Sequence, residues 1–209
     1  MKNSFYNADG KNIILKMVRG IQENKDFLGE VDGLIGDGDH GMNMNKGFSV
    51  FEQRFGEDAF SFSEGLGNLS MILMNEIGGS MGPIYGTILM SMGDAIDDSE
   101  KEEIELGDFS AYFEAGLEGL YDIVDARVGD KTLVDTLAPA VSSLQKDAAE
   151  QVSFADALKH MKEAALAGRN STKDLIAKYG RYSRLGERSR GVLDAGSCSC
   201  YIILEAMAD

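Results

Sequence analysis

Residues 61–74, SFSEGLGNLSMILM, decide the fold class of this chain. Ser61 and Glu64 form a capping-box signature, in which each side chain accepts a hydrogen bond from the backbone N–H of the other residue. Apolar residues then recur at helical spacing, at Leu66, Leu69, Met71, Ile72 and Met74. The stretch therefore predicts an amphipathic helix that begins near Ser61.

The same helical pattern extends outward over most of the chain. It predicts about eight helices, at roughly 10–27, 42–54, 61–77, 83–97, 108–126, 132–147, 153–178 and 195–208. Asp108 and Ser153 are expected to open two of them, and Pro139 is expected to kink or shorten the sixth. The acidic residues 94–108 are interpreted as a solvated loop, and no alternating pattern predicts a useful strand. An all-α single domain over residues 1–209 follows.

The composition limits the classes of function. The chain has 209 residues, 44% of them apolar, and a net charge of −15, which would repel a nucleic acid. No apolar stretch approaches the length of a membrane span or a signal peptide, so we expect a cytoplasmic location and no membrane partner. Cys198 and Cys200 are too close for an ordinary structural disulfide and are interpreted as core residues.

Three carboxylates crowd the glycine-rich residues 32–41, DGLIGDGDHG. Asp32, Asp37 and Asp39 would repel one another unless a cation lay among them, and oxygen ligands suit Mg²⁺ or Ca²⁺. The EF-hand pattern fails, because Phe48 stands where its bidentate glutamate is needed. A plain turn with solvated charges would also account for the composition.

A second glycine turn, Gly78-Gly79-Ser80-Met81-Gly82-Pro83, precedes a helical run. Proline favours the first turn of a helix. The turn therefore predicts free backbone N–H groups at a helix N-terminus, which can bind phosphate. A tight turn between helices would have the same residues.

Two further loops contain charged residues beside glycine. Residues 129–132, GDKT, are expected to cap the following helix through Asp130 or Thr132. Residues 180–191 carry four arginines, Arg181, Arg184, Arg188 and Arg190, which reverse the local charge and could bind phosphate or pair with the acidic surface. Together the four loops indicate a Mg-nucleotide site without a Walker sequence.

The ordered motifs GDGDHGMNMNKGF, GGSMGPIYGT, GDKTLVD and GRYSRLGERSRG…DAG resemble the ADP-binding L subunit of dihydroxyacetone kinase. The same family supplies the C-terminal domain of ATP-dependent dihydroxyacetone kinases. The resemblance implies a barrel of eight antiparallel amphipathic helices, with the nucleotide held in the loops at one end. It implies two Mg²⁺ on Asp32, Asp37 and Asp39. It also implies nucleotide contacts at His40, Asn43, Gly79, Ser80, Met81, Leu133, Arg181, Asp194, Ala195 and Gly196.

The resemblance further implies a kinase subunit that is inactive without its partners. ADP or ATP would stay bound as a cofactor, and a phosphohistidine on an M subunit would rephosphorylate ADP in place. The ATP would then phosphorylate dihydroxyacetone held by a separate K subunit. No residue of this chain is assigned a certain catalytic role.

Several residues differ from the usual family pattern and keep different interpretations open. Met81 stands where a serine is usual, Val192-Leu193-Asp194-Ala195 replaces His-Gln-Asp-Pro, and Tyr182 and Arg184 are unlike the expected residues. The substrate could therefore be a related triose or tetrulose. His40 counts against a fatty-acid kinase domain, which carries threonine there. The sequence is also compatible with a nucleotide-sensing regulator that binds a transcription factor, or with a plain helical scaffold.

Overall fold

The computed structural model describes residues 4–209, and most of this range is helical. It contains nine α-helices: α1 (Lys11–Glu23), α2 (Lys25–Gly33), α3 (His40–Phe55), α4 (Phe62–Glu76), α5 (Met81–Ser99), α6 (Leu106–Ile123), α7 (Val134–Ala149), α8 (Phe154–Ser171) and α9 (Ala195–Ala208). Three 3-10 segments cover Asn7–Asp9, Thr172–Asp174 and Arg181–Ser189. The strands β1 (Ser4–Tyr6) and β2 (Glu103–Glu105) form a short antiparallel ribbon with Phe5 opposite Ile104.

The helical class is confirmed, but several boundaries differ from the prediction. The first predicted helix divides at Asn24, so that α2 is an additional helix. The predicted helix over 153–178 ends at Ser171 and gives way to a 3-10 turn. The interpretation of 94–108 as a solvated loop was wrong, because α5 continues to Ser99 and β2 follows.

Side-chain caps mark where α4, α6 and α8 begin. The capping box of Ser61 and Glu64 is confirmed at the start of α4, and the side chain of Ser153 accepts from the backbone N–H of Asp156 at the start of α8. Asp108 does not open α6 as expected. It is the third residue of that helix and forms a reciprocal box with Glu105, the N-cap.

Pro139 lies within α7 but does not shorten it, since the helix runs unbroken from Val134 to Ala149. Because proline has no N–H, the carbonyl of Asp135, four residues earlier, loses its usual intrahelical partner. Helix α8 approaches this carbonyl closely at Gly168, where a Cβ atom would lie 2.0 Å from the oxygen. A glycine is therefore required at this contact.

The helices pack in a closed order around one apolar core. Each of α3, α4, α5, α6, α7 and α8 contacts the next, and α9 contacts both α8 and α1, which in turn contacts α3. Phe48, Phe51, Phe62 and Phe113 are fully buried, and each contributes about 2–3 kcal/mol through burial. Cys198 and Cys200 are free and buried, as predicted. Among residues 4–209, no helix combines the length and apolar character needed to cross a bilayer.

Candidate functional site

Four alternate connections, α2–α3, α4–α5, α6–α7 and α8–α9, surround a cavity of about 490 Å³. Ten of the predicted site residues line it: Asp32, Asp39, His40, Gly79, Ser80, Met81, Leu133, Arg181, Asp194 and Gly196. Three predicted residues are not part of the wall. Asp37 is exposed beside it, Asn43 is half-buried on the first turn of α3, and Ala195 is buried in the core.

The three aspartates form one carboxylate cluster at the edge of this cavity. One oxygen from each of Asp32, Asp37 and Asp39 lies within 4.8 Å of the others. Asp32 is the buried member, and the backbone packs tightly over it. A Cβ atom on Gly36 would lie 2.7 Å from Asp32 Oδ1, so the loop can take this path only with glycine there.

The donor set fits Mg²⁺. The cluster offers only carboxylate oxygens, which this ion prefers, and opposite ligands of one Mg²⁺ stand about 4.2 Å apart at its usual bond length. Neighbouring ligands stand about 3 Å apart, so the three carboxylates would draw together around a single ion. One cluster member is buried and another exposed, so substrate phosphates and water could complete the coordination.

Two residues of the Arg181–Ser189 segment contact the cluster. The guanidinium of Arg181 forms ion pairs with Asp37 and with Asp39, the latter at 3.5 Å. The hydroxyl of Tyr182 donates a hydrogen bond to Asp32 Oδ1. Burial and this carboxylate both raise the pKa of Tyr182, so the hydroxyl keeps its proton.

The glycine turn before α5 has the predicted character, but the helix begins at Met81 rather than Pro83. Gly79 has a φ of 73°, a conformation that favours glycine. Ser80 is the N-cap, and no side chain caps this helix. The first amides therefore remain available to an anion in the cavity, and the helix dipole reinforces them.

His40 belongs to a buried polar chain that sequence reasoning missed. Its Nε2 lies 2.8 Å from Ser199 Oγ, which lies 2.6 Å from the hydroxyl of Tyr85. Burial lowers the pKa of His40 to about 4, although Asp32 opposes the shift, so the imidazole is neutral at pH 7. The only sign of this chain in the sequence was Tyr85, a side chain with a polar end inside the apolar run of α5.

The GDKT turn is held by Asp135. Its carboxylate accepts from the backbone N–H groups of Gly129 at 2.6 Å and Thr132 at 2.8 Å. The capping role expected of Asp130 was wrong, because that side chain accepts from Arg127 N–H and pairs with Lys178. Thr132 Oγ1 does accept from the first amide of α7, that of Val134.

Asp194 caps α9 by accepting a hydrogen bond from Ser197 N–H at 2.7 Å. Burial raises its pKa to about 7, while this hydrogen bond and nearby Lys131 oppose the increase. Its carboxyl group is therefore incompletely ionised at neutral pH. Within the site, Asp194 fixes the helix start that presents Gly196 to the cavity.

The remaining wall is mostly apolar and was not found from the sequence. The end of α6 and the residues after it contribute Leu120, Ile123, Val124 and Ala126, and Tyr179 lies on the opposite loop. These residues carry no distinctive motif. The cavity thus has a charged region at the carboxylates and an apolar region formed largely by the end of α6 and the residues after it.

Comparison with known proteins assigns the family. The model of the DAK2 domain matches residues 34–209. The chain is 37% identical over 188 residues to the ADP-binding subunit of PEP-dependent dihydroxyacetone kinase 1 from Listeria innocua, covering 90% of this chain and 88% of the relative. It is 38% identical over 190 residues to the corresponding PTS-dependent subunit from Lactococcus lactis, covering 90% of each chain.

A solved structure shares the fold. The dihydroxyacetone kinase from C. freundii, in complex with AMP-PNP and Mg²⁺, superposes with a TM-score of 0.71 at 18% identity over the whole of this chain. This chain spans about a third of that protein, 35% of its length. The chain described here belongs to the DAK2 domain family.

Proposed function

We propose that this chain is the nucleotide-holding subunit of a dihydroxyacetone-type kinase. The relatives from Listeria innocua and Lactococcus lactis are named as ADP-binding subunits of such kinases, which supports a phosphotransferase role. The observation that carries the proposal is the meeting of three carboxylates, an uncapped helix N-terminus and Arg181 in one cavity.

In this proposal Asp32, Asp37 and Asp39 hold two Mg²⁺. Held by these carboxylates, Mg²⁺ would offset the negative charge that develops during phosphoryl transfer. Asp32 is already held by Tyr182, so it is oriented before any ligand arrives. Asp37 is exposed and can move toward a ligand at little cost.

The phosphates lie between the first amides of α5 and the guanidinium of Arg181. Met81 retains its backbone N–H, so the loss of the usual serine hydroxyl removes one contact and leaves the amide cradle. Arg181 exchanges part of its pairing with Asp37 and Asp39 for phosphate oxygens. The adenine ring occupies the apolar region that Leu133 and the end of α6 form.

The proposed partners are the other subunits of such a kinase. A K subunit holds dihydroxyacetone, whose hydroxyl oxygen attacks the γ-phosphorus while its proton passes to a base of the K subunit and the bond from phosphorus to the β–γ bridging oxygen breaks. A phosphohistidine on an M subunit then restores ATP from the bound ADP. A related triose or tetrulose would use the same nucleotide site, because the sugar is held by the other chain.

The proposal also includes closure of eight helices into a barrel. The closed packing order of α1, α3, α4, α5, α6, α7, α8 and α9 supports this, with α2 as the additional helix against α3 and α9. Placing the connections of one end around the cavity requires neighbouring helices to run antiparallel.

Calorimetric titration of ADP with and without Mg²⁺ tests the proposal. Asp37→Asn should weaken Mg-ADP binding about tenfold or more through the loss of one charged ligand. The same variant should bind ADP in EDTA at least as well as wild type, because a carboxylate that repels phosphate is gone. Asp58→Asn, on the exposed α3–α4 connection, removes the same charge and should change neither affinity. A wild-type protein that binds no Mg-ADP would overturn the proposal.

A further inference from the structure

The connection between α8 and α9, residues 172–194, is a loop whose two ends lie side by side. Gly191 N–H donates to the carbonyl of Lys173 at 2.7 Å, and Asp194 N–H donates to Thr172 Oγ1 at 3.1 Å. This loop carries Arg181 and Tyr182, the two residues that contact the carboxylate cluster. Their position therefore depends on how the base of the loop is held.

Lys131 lies beneath that base. Its side chain is 1% exposed, and its ammonium donates hydrogen bonds to the carbonyl of Thr172 and, at 2.5 Å, to the carbonyl of Val192. One acceptor belongs to each end of the loop. Among the described residues, no carboxylate oxygen lies within 4.0 Å of this ammonium, so the two carbonyls are its direct partners.

The backbone at Lys131 is itself unusual. Its φ is 61°, in the left-handed region that residues with long side chains rarely adopt. The turn is kept in this form by Asp135, which accepts from the N–H groups on either side of Asp130 and Lys131. A rare conformation and the burial of a charge both disfavour this arrangement, so the contacts of the ammonium must offset them.

We propose that Lys131 is a positioning residue, whose ammonium joins the two ends of the 172–194 loop and thereby holds Arg181 and Tyr182 against the carboxylate cluster. A methionine would fill the same space and donate no hydrogen bond. The direct hydrogen bonds of Gly191 and Asp194 would then hold the two ends without the ammonium, so the base of the loop would loosen and both contacts to the cluster would weaken. The effect on nucleotide binding rests on the proposed function, whereas the effect on the loop does not.

Limited trypsin digestion measures the loop directly, because Arg181, Arg184, Arg188 and Arg190 are cleavage sites within it. In Lys131→Met, mass spectrometry should show cleavage at these sites about tenfold or more faster than in wild type, as expected for losing hydrogen bonds to a charged donor. Lys178→Met is the matched control. It removes the ion pair that the exposed Lys178, on the same loop, forms with the buried Asp130, which keeps its hydrogen bond from Arg127 N–H, and cleavage should change less than about twofold.

A second control separates positioning from general stability. Val141→Ala, in the buried face of α7, lowers the melting temperature without touching the loop. It should leave both the loop cleavage and the affinity for Mg-ADP unchanged, whereas Lys131→Met should lose about tenfold in that affinity. Should Lys131→Met not accumulate in folded form, Lys131→Gln, whose donor is one bond shorter, is measured in the same way.

Unchanged loop cleavage in a folded Lys131 variant would overturn the positioning role, whether or not the protein binds nucleotide. Equal loop cleavage in Lys131→Met and Val141→Ala would overturn it as well. Failure of wild type to bind Mg-ADP overturns the proposed function instead, and the digestion result alone then decides the role of Lys131.

Discussion

The hydroxyl of Tyr182 allows a sharp test of how the carboxylate cluster is organised. Tyr182→Phe removes one oxygen atom and with it the hydrogen bond donated to Asp32 Oδ1. The other oxygen of Asp32, Oδ2, is 3.4 Å from the backbone N–H of His40. The wild-type carboxylate is therefore held from both sides, and the variant leaves only the longer, weaker contact.

The expected magnitude follows from that single bond. A hydrogen bond to an ionised group contributes about 1.5–3 kcal/mol, and a factor of ten in affinity corresponds to about 1.4 kcal/mol. Because Tyr182 is only partly buried, solvent compensates some of the loss, and the lower end of this range applies. We expect Tyr182→Phe to weaken Mg²⁺ binding about tenfold, within the range known for residues that orient metal ligands.

The assay titrates Mg²⁺ at fixed ADP by calorimetry, and Mn²⁺ by its paramagnetic resonance signal. Tyr179→Phe is the control, since Tyr179 lines the same cavity, is 42% exposed, and its hydroxyl makes no hydrogen bond to the described residues. Both variants should bind ADP equally in EDTA. An unchanged or tighter affinity for Mg²⁺ in Tyr182→Phe would refute the view that this hydroxyl prepares Asp32 for a cation.

Two further predictions concern stability. The pKa of Asp194 is raised to about 7, so the native state binds more protons than the unfolded state, and this residue's contribution to the free energy of unfolding falls as pH rises from about 4 to about 7. The pKa of His40 is lowered to about 4, so its contribution rises between about pH 4 and 6.5. In chemical denaturation, Asp194→Asn should become more stable relative to wild type with increasing pH, and a constant difference would contradict the assignment. Gly168→Ala forces a Cβ atom against the Asp135 carbonyl and should cost several kcal/mol. Gly67→Ala, with no atom within 4 Å of the new Cβ, should stabilise the protein by up to about 1 kcal/mol. Thermal denaturation compares the two variants, and equal effects would show that the contact between residue 168 and the Asp135 carbonyl relaxes.

The features that the sequence predicted correctly depend on interactions between residues close together in the chain. Ser61 and Glu64 predict the start of α4 because both partners of the cap lie within four residues. The crowding of three aspartates among glycines likewise predicts a cluster from one short segment. The division at Asn24 was missed because the polar run at residues 22–26, QENKD, also fits the exposed face of one continuous helix, whereas in the structure a separate α2 packs on α3 and α9.

Contacts between distant segments could not be found in this way. Tyr182 is 150 residues from Asp32, and its hydroxyl meets that carboxylate only because the loop after α8 folds back over the end of α2. The same holds for Lys131, 41 residues from Thr172 and 61 from Val192. The GDKT turn could be interpreted from its residues only as a helix cap, since no spacing rule distinguishes an inward-facing lysine from a solvated one.

The geometry also explains how a chain with a net charge of −15 can hold a polyanion. Four helices, α3, α5, α7 and α9, begin at this cavity, and each N-terminus carries about half a positive charge. In α7 the first amide, that of Val134, already donates to Thr132 Oγ1. In α9 the cap by Asp194 already uses one of the first amides, and in α3 the amide of His40 faces Asp32. Helix α5 has no side-chain cap, so its first amides are the ones left for phosphate. The incomplete ionisation of Asp194 and the guanidinium of Arg181 further reduce the local negative charge, so the cavity is far less repulsive to a phosphate than the composition suggests.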